Sequence, residues 1–305
     1  MALISALSAF PKKMSRVTLR LGEESEPIAL VAESGDPDLD GFVLLTVNDH
    51  RIASAELSPT PPSSVPVPDK RKRTFVVTGR KPGSASLLAW SSATRSTVDL
   101  GRIEVVVEDF KEKDVDLFYV GKYLIWRRSL PAMLDAEEFL MFDASSGNFP
   151  IASAQSMKDQ GPIPEGRYVL LAQLDPMQDT VEKANALMSQ GDLPGRGPIM
   201  NTRPGIQRLP VGGNGPVNIL WGETRVRIDP LFQVPGGRNS FYLHDSKKGH
   251  TSGCVEARRS DTGLLFFDAL VSYALGDRAR RKKNLILKVM YRDSYTSTRG
   301  RTVEP

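Results

Sequence analysis

The 305-residue chain contains a single cysteine, Cys254. No intramolecular disulfide can form, which excludes the disulfide scaffolds typical of small secreted domains. A lone thiol is either a small buried apolar residue, the commoner case, or a reactive group. No apolar run reaches the roughly 18 residues of a membrane-spanning helix, so no span is expected. Charge of one sign is also scarce. The formal net charge is +4 and the pI about 9.1. That mild basicity favours encounter with any anionic surface and singles out none. The Gly-rich stretch Val211–Gly215 lacks a following Gly-Lys-Ser/Thr, so it is no phosphate loop. No nucleic-acid motif and no internal repeat is found. Met1–Phe10 is apolar but short, and Lys12 and Lys13 follow it rather than precede it, the reverse of a secretory signal. No signal peptide is expected.

What is present falls into two halves of different texture, as the length suggests. Val17–Leu21 alternates apolar and polar residues, the period of a half-buried strand. Phe42–Val47, Thr74–Thr78, Ala85–Trp90 and Ile103–Val107 follow as short strands. Turns are expected at the acidic stretch Glu33–Asp40 and at Lys81–Gly83. Pro59–Pro68 reads as a loop, because proline has no N–H for a ladder. This pattern predicts a β-sandwich. His50 stands alone in this half and reads as a surface residue.

The charged stretch Glu108–Asp116 reads as an inter-domain linker. Beyond it, Leu117–Trp126 predicts strand, turn and strand around Gly121-Lys122, followed by Phe139–Phe142. Residues 176–216 look loop-like apart from a helix near Val181–Ser189, and a loop this long is often functional. Trp221–Ile228 and Ser240–Leu243 predict strands on either side of a turn at Pro235–Arg238. Asp261–Leu275 predicts a helix N-capped by Asp261 and stopped at Gly276. Arg278–Lys283 reads as a solvated basic run, and Leu285–Tyr291 as the last strand.

Chemistry concentrates in Phe241–Arg259, FYLHDSKKGHTSGCVEARR, which holds the cysteine and two of the chain's three histidines, His244 and His250. The nucleophilic form of cysteine is the thiolate, and an adjacent imidazole generates it by taking the proton. His244 ends an apolar strand that would hold it rigidly, whereas His250 lies in a Lys-Lys-Gly loop. His244 is therefore the expected base. Papain-like peptidases place the cysteine first and the histidine downstream. No histidine follows Cys254, so that layout is excluded.

His244, Thr251, Gly253 and Cys254, with Ser252 between, match the His…[Ser/Thr]-x-Gly-Cys pattern. In this the chain resembles L,D-transpeptidases of the YkuD type. Gly161–Tyr168 (GPIPEGRY), Phe142–Gly147 (FDASSG) and Trp221–Val226 (WGETRV) resemble a divergent branch that includes peptidoglycan-attacking effectors of type VI secretion systems. The similarity spans roughly residues 118–292, several separated motifs agreeing in order. Phe75–Trp90 (FVVTGRKPGSASLLAW), with Val105–Val107, resembles the closing part of bacterial immunoglobulin-like domains.

These resemblances imply a mainly β chain: an N-terminal tail (1–16), an immunoglobulin-like β-sandwich (17–108), a linker (109–117), an L,D-transpeptidase-like catalytic domain (118–292) and a C-terminal tail (293–305). They imply that Cys254 attacks the stem-peptide carbonyl beside a meso-diaminopimelate-type third residue, with His244 as base. The N–H groups of Gly253 and Cys254 would face the oxyanion, and Ser252 would assist there or orient the base. Arg225, Arg227 and Arg238 are candidates for binding a stem carboxylate, since arginine pairs with carboxylates bidentately. His250 is a further substrate-side candidate. Three features depart from the family: its second histidine is replaced at Ser252, the His-to-Cys gap is short, and Glu256 stands where many members have Asn or Arg. Expected partners are peptidoglycan tetrapeptide stems, a periplasmic immunity protein and a secretion-apparatus component, with no cofactor, metal or nucleic acid. The expected place of action is the periplasm of a target bacterium. Hydrolysis, exchange and cross-linking differ only in the acyl acceptor and stay open, as does a phage origin. Two competing readings are a zinc site built from His244, His250 and Cys254, and a non-catalytic wall-binding or adhesion protein.

Overall fold

The computed structural model describes residues 3–6, 15–25, 28–32, 43–57, 72–91, 98–129, 137–210, 220–260, 262–276 and 282–303. The chain is mainly β and divides into two compact units, Met1–Lys111 and Glu112–Pro305. The boundary falls inside the stretch read as a linker. From Val115 that stretch already belongs to the second unit: Val115 is buried, and the Asp116 carboxylate accepts the Ile286 N–H at 2.7 Å.

The first unit contains β1 (Leu3–Ala6), β2 (Ser15–Arg20), β3 (Ile28–Ala32), β4 (Val43–Val47), β5 (Ala53–Leu57), β6 (Lys72–Gly79), β7 (Gly83–Ser91) and β8 (Val98–Glu108). They form two four-stranded sheets, ordered β1-β3-β6-β5 and β2-β8-β7-β4. Alternation decides which side chains go inside. Ile103, Val105 and Val107 of β8 are buried, while Glu104 and Val106 between them are part-exposed. The two sheets meet at Gly79, where an added Cβ would lie 3.0 Å from Val107 Cγ1. The expected strands are all present: β6, β7 and β8 are longer than expected, β2 ends one residue earlier than expected and β4 starts at Val43, and the sequence pattern missed β1, β3 and β5. Glu33–Asp40 and Pro59–Pro68 lie outside the described residues, and His50 is exposed.

The second unit contains β9 (Leu117–Tyr119), β10 (Tyr123–Ser129), β11 (Glu137–Ser146), β12 (Gly166–Leu171), α1 (Val181–Ser189), β13 (Ile206–Arg208), β14 (Thr224–Pro230), β15 (Phe241–His244), β16 (Val255–Ser260), α2 (Phe266–Leu275) and β17 (Asn284–Val289). The sheet order is β12-β17-β9-β10-β11-β16-β15-β14-β13, and β12 also pairs with β14. That second pairing closes eight strands into a barrel, with β13 added outside the ring on β14. Closure removes the open edges that strands otherwise expose. Inward residues such as Leu124, Phe142, Tyr168, Val226, Leu243 and Val255 form the core. Phe266 of α2 packs on this core, 5.3 Å from the Phe142 ring and 6.1 Å from Trp126.

Two expectations change here. The last helix begins at Phe266 rather than Asp261, which lies outside the described residues. Ser260 ends β16 and its hydroxyl accepts the Leu264 N–H, so a turn precedes the helix. The segment read as a C-terminal tail is built into the unit. Thr298 and Thr302 are buried, and Ser145 bridges Arg299 as Ile151 does Ser297. No described helix is long and apolar enough to cross a membrane.

Candidate active site

β14, β15 and β16 lie side by side in the barrel wall. β15 and β16 run parallel with Leu243 opposite Val255 and His244 opposite Glu256. β14 runs antiparallel to β15, with Arg225 opposite His244 and Arg227 opposite Tyr242. Leu243, Val255 and Val226 point into the core. The alternating neighbours therefore point outward: Tyr242 and His244 on β15, Arg225 and Arg227 on β14, and Cys254 and Glu256 flanking Val255. Strand pairing thus puts the thiol, the imidazole and a guanidinium on one outer face.

That face is roofed by the segment from Asp192 to Arg203. The buried Asp192 carboxylate accepts the N–H groups of Ile199 (2.8 Å) and Met200 (3.1 Å), which shapes the segment. Asn201 then bonds the wall below. Its carbonyl accepts the Tyr242 hydroxyl at 2.9 Å and Arg227 Nη1 at 3.1 Å, and its side-chain oxygen accepts Arg225 Nη2 at 3.1 Å. Trp221 completes the enclosure with its ring 5.3 Å from Tyr242 and 5.5 Å from His244.

The connection from Asp245 to Cys254 is short for a parallel crossover, which ordinarily takes about a dozen residues or more. It contains no helix and folds back on internal pins. Glu256 is wholly buried, and its carboxylate accepts the Ser246 hydroxyl and the N–H groups of Lys248 (3.2 Å) and Gly249 (2.8 Å). This explains an acidic residue at that position: it is the acceptor on which the loop is wound. Thr251 is the second pin. Its hydroxyl accepts the Gly147 N–H (3.0 Å) and the Gly253 N–H (3.2 Å) and donates to the Cys254 carbonyl. Ser146 also donates to the Cys254 carbonyl at 2.8 Å and accepts the Ile163 N–H at 2.9 Å. One hydroxyl therefore joins the FDASSG, GPIPEGRY and Thr-Ser-Gly-Cys segments.

Electrostatics at the pair are dominated by burial. Burial pushes the Cys254 thiol up to about 11, while a backbone hydrogen bond from Tyr242 and the charges of Arg225, Lys248 and Arg238 pull it down. His244 is driven down to about 3 by burial, with Lys248 and Arg225 adding to the effect. At neutral pH the resting pair is thus a neutral thiol and a neutral imidazole. His244 Nδ1 is buried without a hydrogen-bond partner. Asp245, next along the chain, is pushed up to about 6 by burial, although it accepts the N–H groups of Glu223 and Thr224.

The sequence-predicted residues separate into groups. Cys254, His244 and Arg225 share that outer face, Cys254 part-exposed as a residue and the other two buried. Ser252 and His250 are exposed on the loop. Gly253 is buried with φ +107°, and an added Cβ would lie 2.0 Å from Arg238 Nη2. Its N–H is held by Thr251, which corrects the expected oxyanion role. Glycine is required there because the guanidinium lies against its backbone. The Cys254 amide is the other donor of the expected pair.

The expected carboxylate contacts change too. Arg238 is buried and donates to the carbonyls of Gln155, Gly161 (3.0 Å) and Pro162 (2.8 Å), so it holds the GPIPEG turn under Gly253. Arg227 is ion-paired to Asp229 at 2.7 Å. Arg225 has no exposed surface, so no substrate carboxylate reaches it in this arrangement. Among the described residues, no three His, Cys, Asp or Glu side chains form a metal-holding cluster.

Sequence reasoning missed roles for Ser146 and Trp221, although both lie in motifs it singled out. It missed Gln207, for which no sequence signal exists. No protein-family profile and no curated protein matches the chain. Among solved structures it is similar to domains 4 and 5 of the S-layer protein SbsC, at 16% identity and a TM-score of 0.24, covering 33% of this chain and 51% of that one. A longer piece of the same S-layer protein, rSbsC(31-844), gives 12% identity and a TM-score of 0.24 over 45% of this chain and 21% of that one. Amebosin gives 13% and 0.20, over 30% and 88%. Overlaps this weak define neither fold nor function.

Proposed function

We propose that the second unit is a cysteine-dependent L,D-carboxypeptidase or L,D-transpeptidase acting on peptidoglycan stem peptides. The observation that carries this is that neighbouring segments of the barrel wall turn His244 and Cys254 outward, while Ser146 joins the FDASSG and GPIPEGRY segments to the Cys254 backbone. Cys254 attacks the carbonyl after a diaminopimelate-type residue and forms a thioester. His244 takes the thiol proton and hands it to the leaving D-alanine amine. Water then releases the shortened stem, or an amine acceptor forms a new amide. A neutral imidazole is the form able to accept a proton, and the burial that keeps His244 neutral also weakens it as a base. The same resemblance carries the wider reading of an antibacterial effector, delivered by a type VI secretion device and restrained in its producer by a periplasmic immunity protein. It also carries an immunoglobulin-like identity for the first unit, as a spacer or adhesion module. His250 is exposed, and the absence of a ligand cluster among the described residues weighs against the zinc alternative.

The decisive experiment is digestion of purified sacculi followed by mass spectrometry of the fragments. Wild-type protein should convert tetrapeptide to tripeptide stems or exchange the terminal residue, and Cys254→Ala should do neither while keeping its fold. His244→Ala should lose at least about a hundredfold, the usual scale for a general base. A larger loss for His250→Ala would reverse the assignment of the base.

A further inference from the structure

We infer that Arg225 is a positioning residue for the nucleophile: its buried guanidinium, neutralised by no carboxylate among the described residues, is the fixed positive charge that stabilises the Cys254 thiolate as His244 withdraws the proton. This rests on the Cys254–His244 pair proposed above and adds a third member to it.

The surroundings of Arg225 are unusual for an arginine. It is fully enclosed, and such a side chain is ordinarily paired with a carboxylate. Here its partners are neutral. Nε donates to Gln207 Oε1 at 2.8 Å, and Nη2 donates to the Met200 carbonyl at 2.6 Å and to Asn201 Oδ1 at 3.1 Å. Nη1 is buried with no partner. Among the described residues no carboxylate lies within ion-pair distance of it. The nearest acidic influence, Asp192, spends its oxygens on the N–H groups of Ile199 and Met200. The guanidinium is held by stacking, 4.5 Å from the centre of the Tyr242 ring and 4.9 Å from that of Trp221.

An isolated charge in such a place is costly unless a counter-charge exists in some state of the molecule. The strand register supplies one. Arg225 sits opposite His244, and Cys254 immediately precedes the next strand, β16, whose Val255 lies opposite Leu243. The groups acting on the thiol are Arg225 from β14, Lys248 from the loop, Arg238 from the turn before β15 and the Tyr242 backbone on β15, with His244 two residues further along that strand. Lys248 is part-exposed and Arg238 is fastened to three carbonyls. Arg225 alone is both enclosed and short of a partner.

The proton balance is simple. The S–H bond breaks, its proton moves to the His244 imidazole, and the electron pair stays on sulfur under the charge of Arg225. The same charge makes the resulting imidazolium a stronger acid, which speeds its delivery of the proton to the leaving amine.

The test needs no peptidoglycan. Because the chain has one cysteine, iodoacetamide alkylation of the full-length protein between pH 5 and 11 reads Cys254 alone. Arg225→Gln should alkylate about tenfold or more slowly at pH 7, since a tenfold change in thiolate population corresponds to one pH unit in the profile. Gln207→Glu keeps the arginine and its stacking but pairs its charge, and should move the profile the same way. Arg225→Lys, which keeps the charge, should stay within about threefold of wild type. A merely structural arginine would give a wild-type profile in folded Arg225→Gln or Gln207→Glu, and that result overturns the inference. If circular dichroism shows Arg225→Gln unfolded, Gln207→Glu decides. If both are unfolded, Arg225→Lys decides, its wild-type profile supporting the inference and its loss refuting it. A wild-type chain that shows the Arg225-dependent profile yet leaves sacculi unchanged would sink the proposed substrate and not this inference.

Discussion

At His244 the cost of enclosure sets a testable pH dependence. Its folded pKa, about 3, lies below the ordinary 6.5. Between those values the unfolded chain binds a proton that the folded chain refuses, so stability present above pH 6.5 is lost as pH falls toward 3. By pH 5 the loss is about 2 kcal/mol. Asp245 acts in the opposite sense. Its folded pKa of about 6 exceeds the ordinary 3.8, so its contribution is present below about pH 4 and lost as pH rises through 6. The two offset each other between those limits, and a variant separates them. The melting temperature of wild type should drop further between pH 7.5 and 5 than that of His244→Gln, by roughly 4–8 °C for a unit of this size. Parallel drops would mean that His244 is not held neutral. The importance of this histidine was legible from its place at the end of an apolar strand. The burial that suppresses its charge was not, because Trp221 and the roof segment reach it from elsewhere in the chain.

Among the elements, β15 before the cysteine-bearing loop and the helix at Val181–Ser189 were visible as local patterns, and both appear where expected, β15 shifted by one residue. β12 and β13 were not singled out. β13 has three residues, too few to show a period, and it exists because β14 offers an edge on which to pair. The segments around the thiol are likewise held by contacts distant in sequence. Ser146, at the end of β11, links the Cys254 carbonyl to the Ile163 N–H. Ser146→Ala leaves the buried Ile163 N–H without its partner, while the Cys254 carbonyl keeps only the Thr251 hydroxyl, and should cost about 1–3 kcal/mol. Scanning calorimetry should show a lower melting temperature, and under the proposed function turnover at a temperature where the variant is folded should fall as well, because the Cys254 backbone loses an anchor. A destabilised variant with undiminished turnover would show that this anchor serves the fold alone.

At the scale of the whole molecule, the division into two β units was readable from the charged stretch near residue 111. Barrel closure was not, since it depends on β12 finding β14 as well as β17. The proposed function also makes a prediction at this scale. Given a cleavable periplasmic signal, the chain should lyse or swell a Gram-negative host, and the same chain without the signal should be harmless because its substrate is absent from the cytoplasm. Cys254→Ala should be harmless in both places. Growth curves and microscopy of the four strains decide this, and toxicity that survives the loss of the thiol counts against the substrate.

Composition and local order by themselves determined that this is a mainly β protein with one thiol, that an imidazole precedes it by ten positions, and that no second cysteine competes with it. Those are properties of neighbouring residues, and short-range pattern expresses them. Only the tertiary structure decided which groups share a face with the thiol. Side-chain direction follows from strand alternation combined with inter-strand register, and register is set by pairing between distant segments. It turned Arg225 from an expected substrate contact into an enclosed charge acting on the thiol, and Glu256 from a departure in pattern into the acceptor that winds the loop.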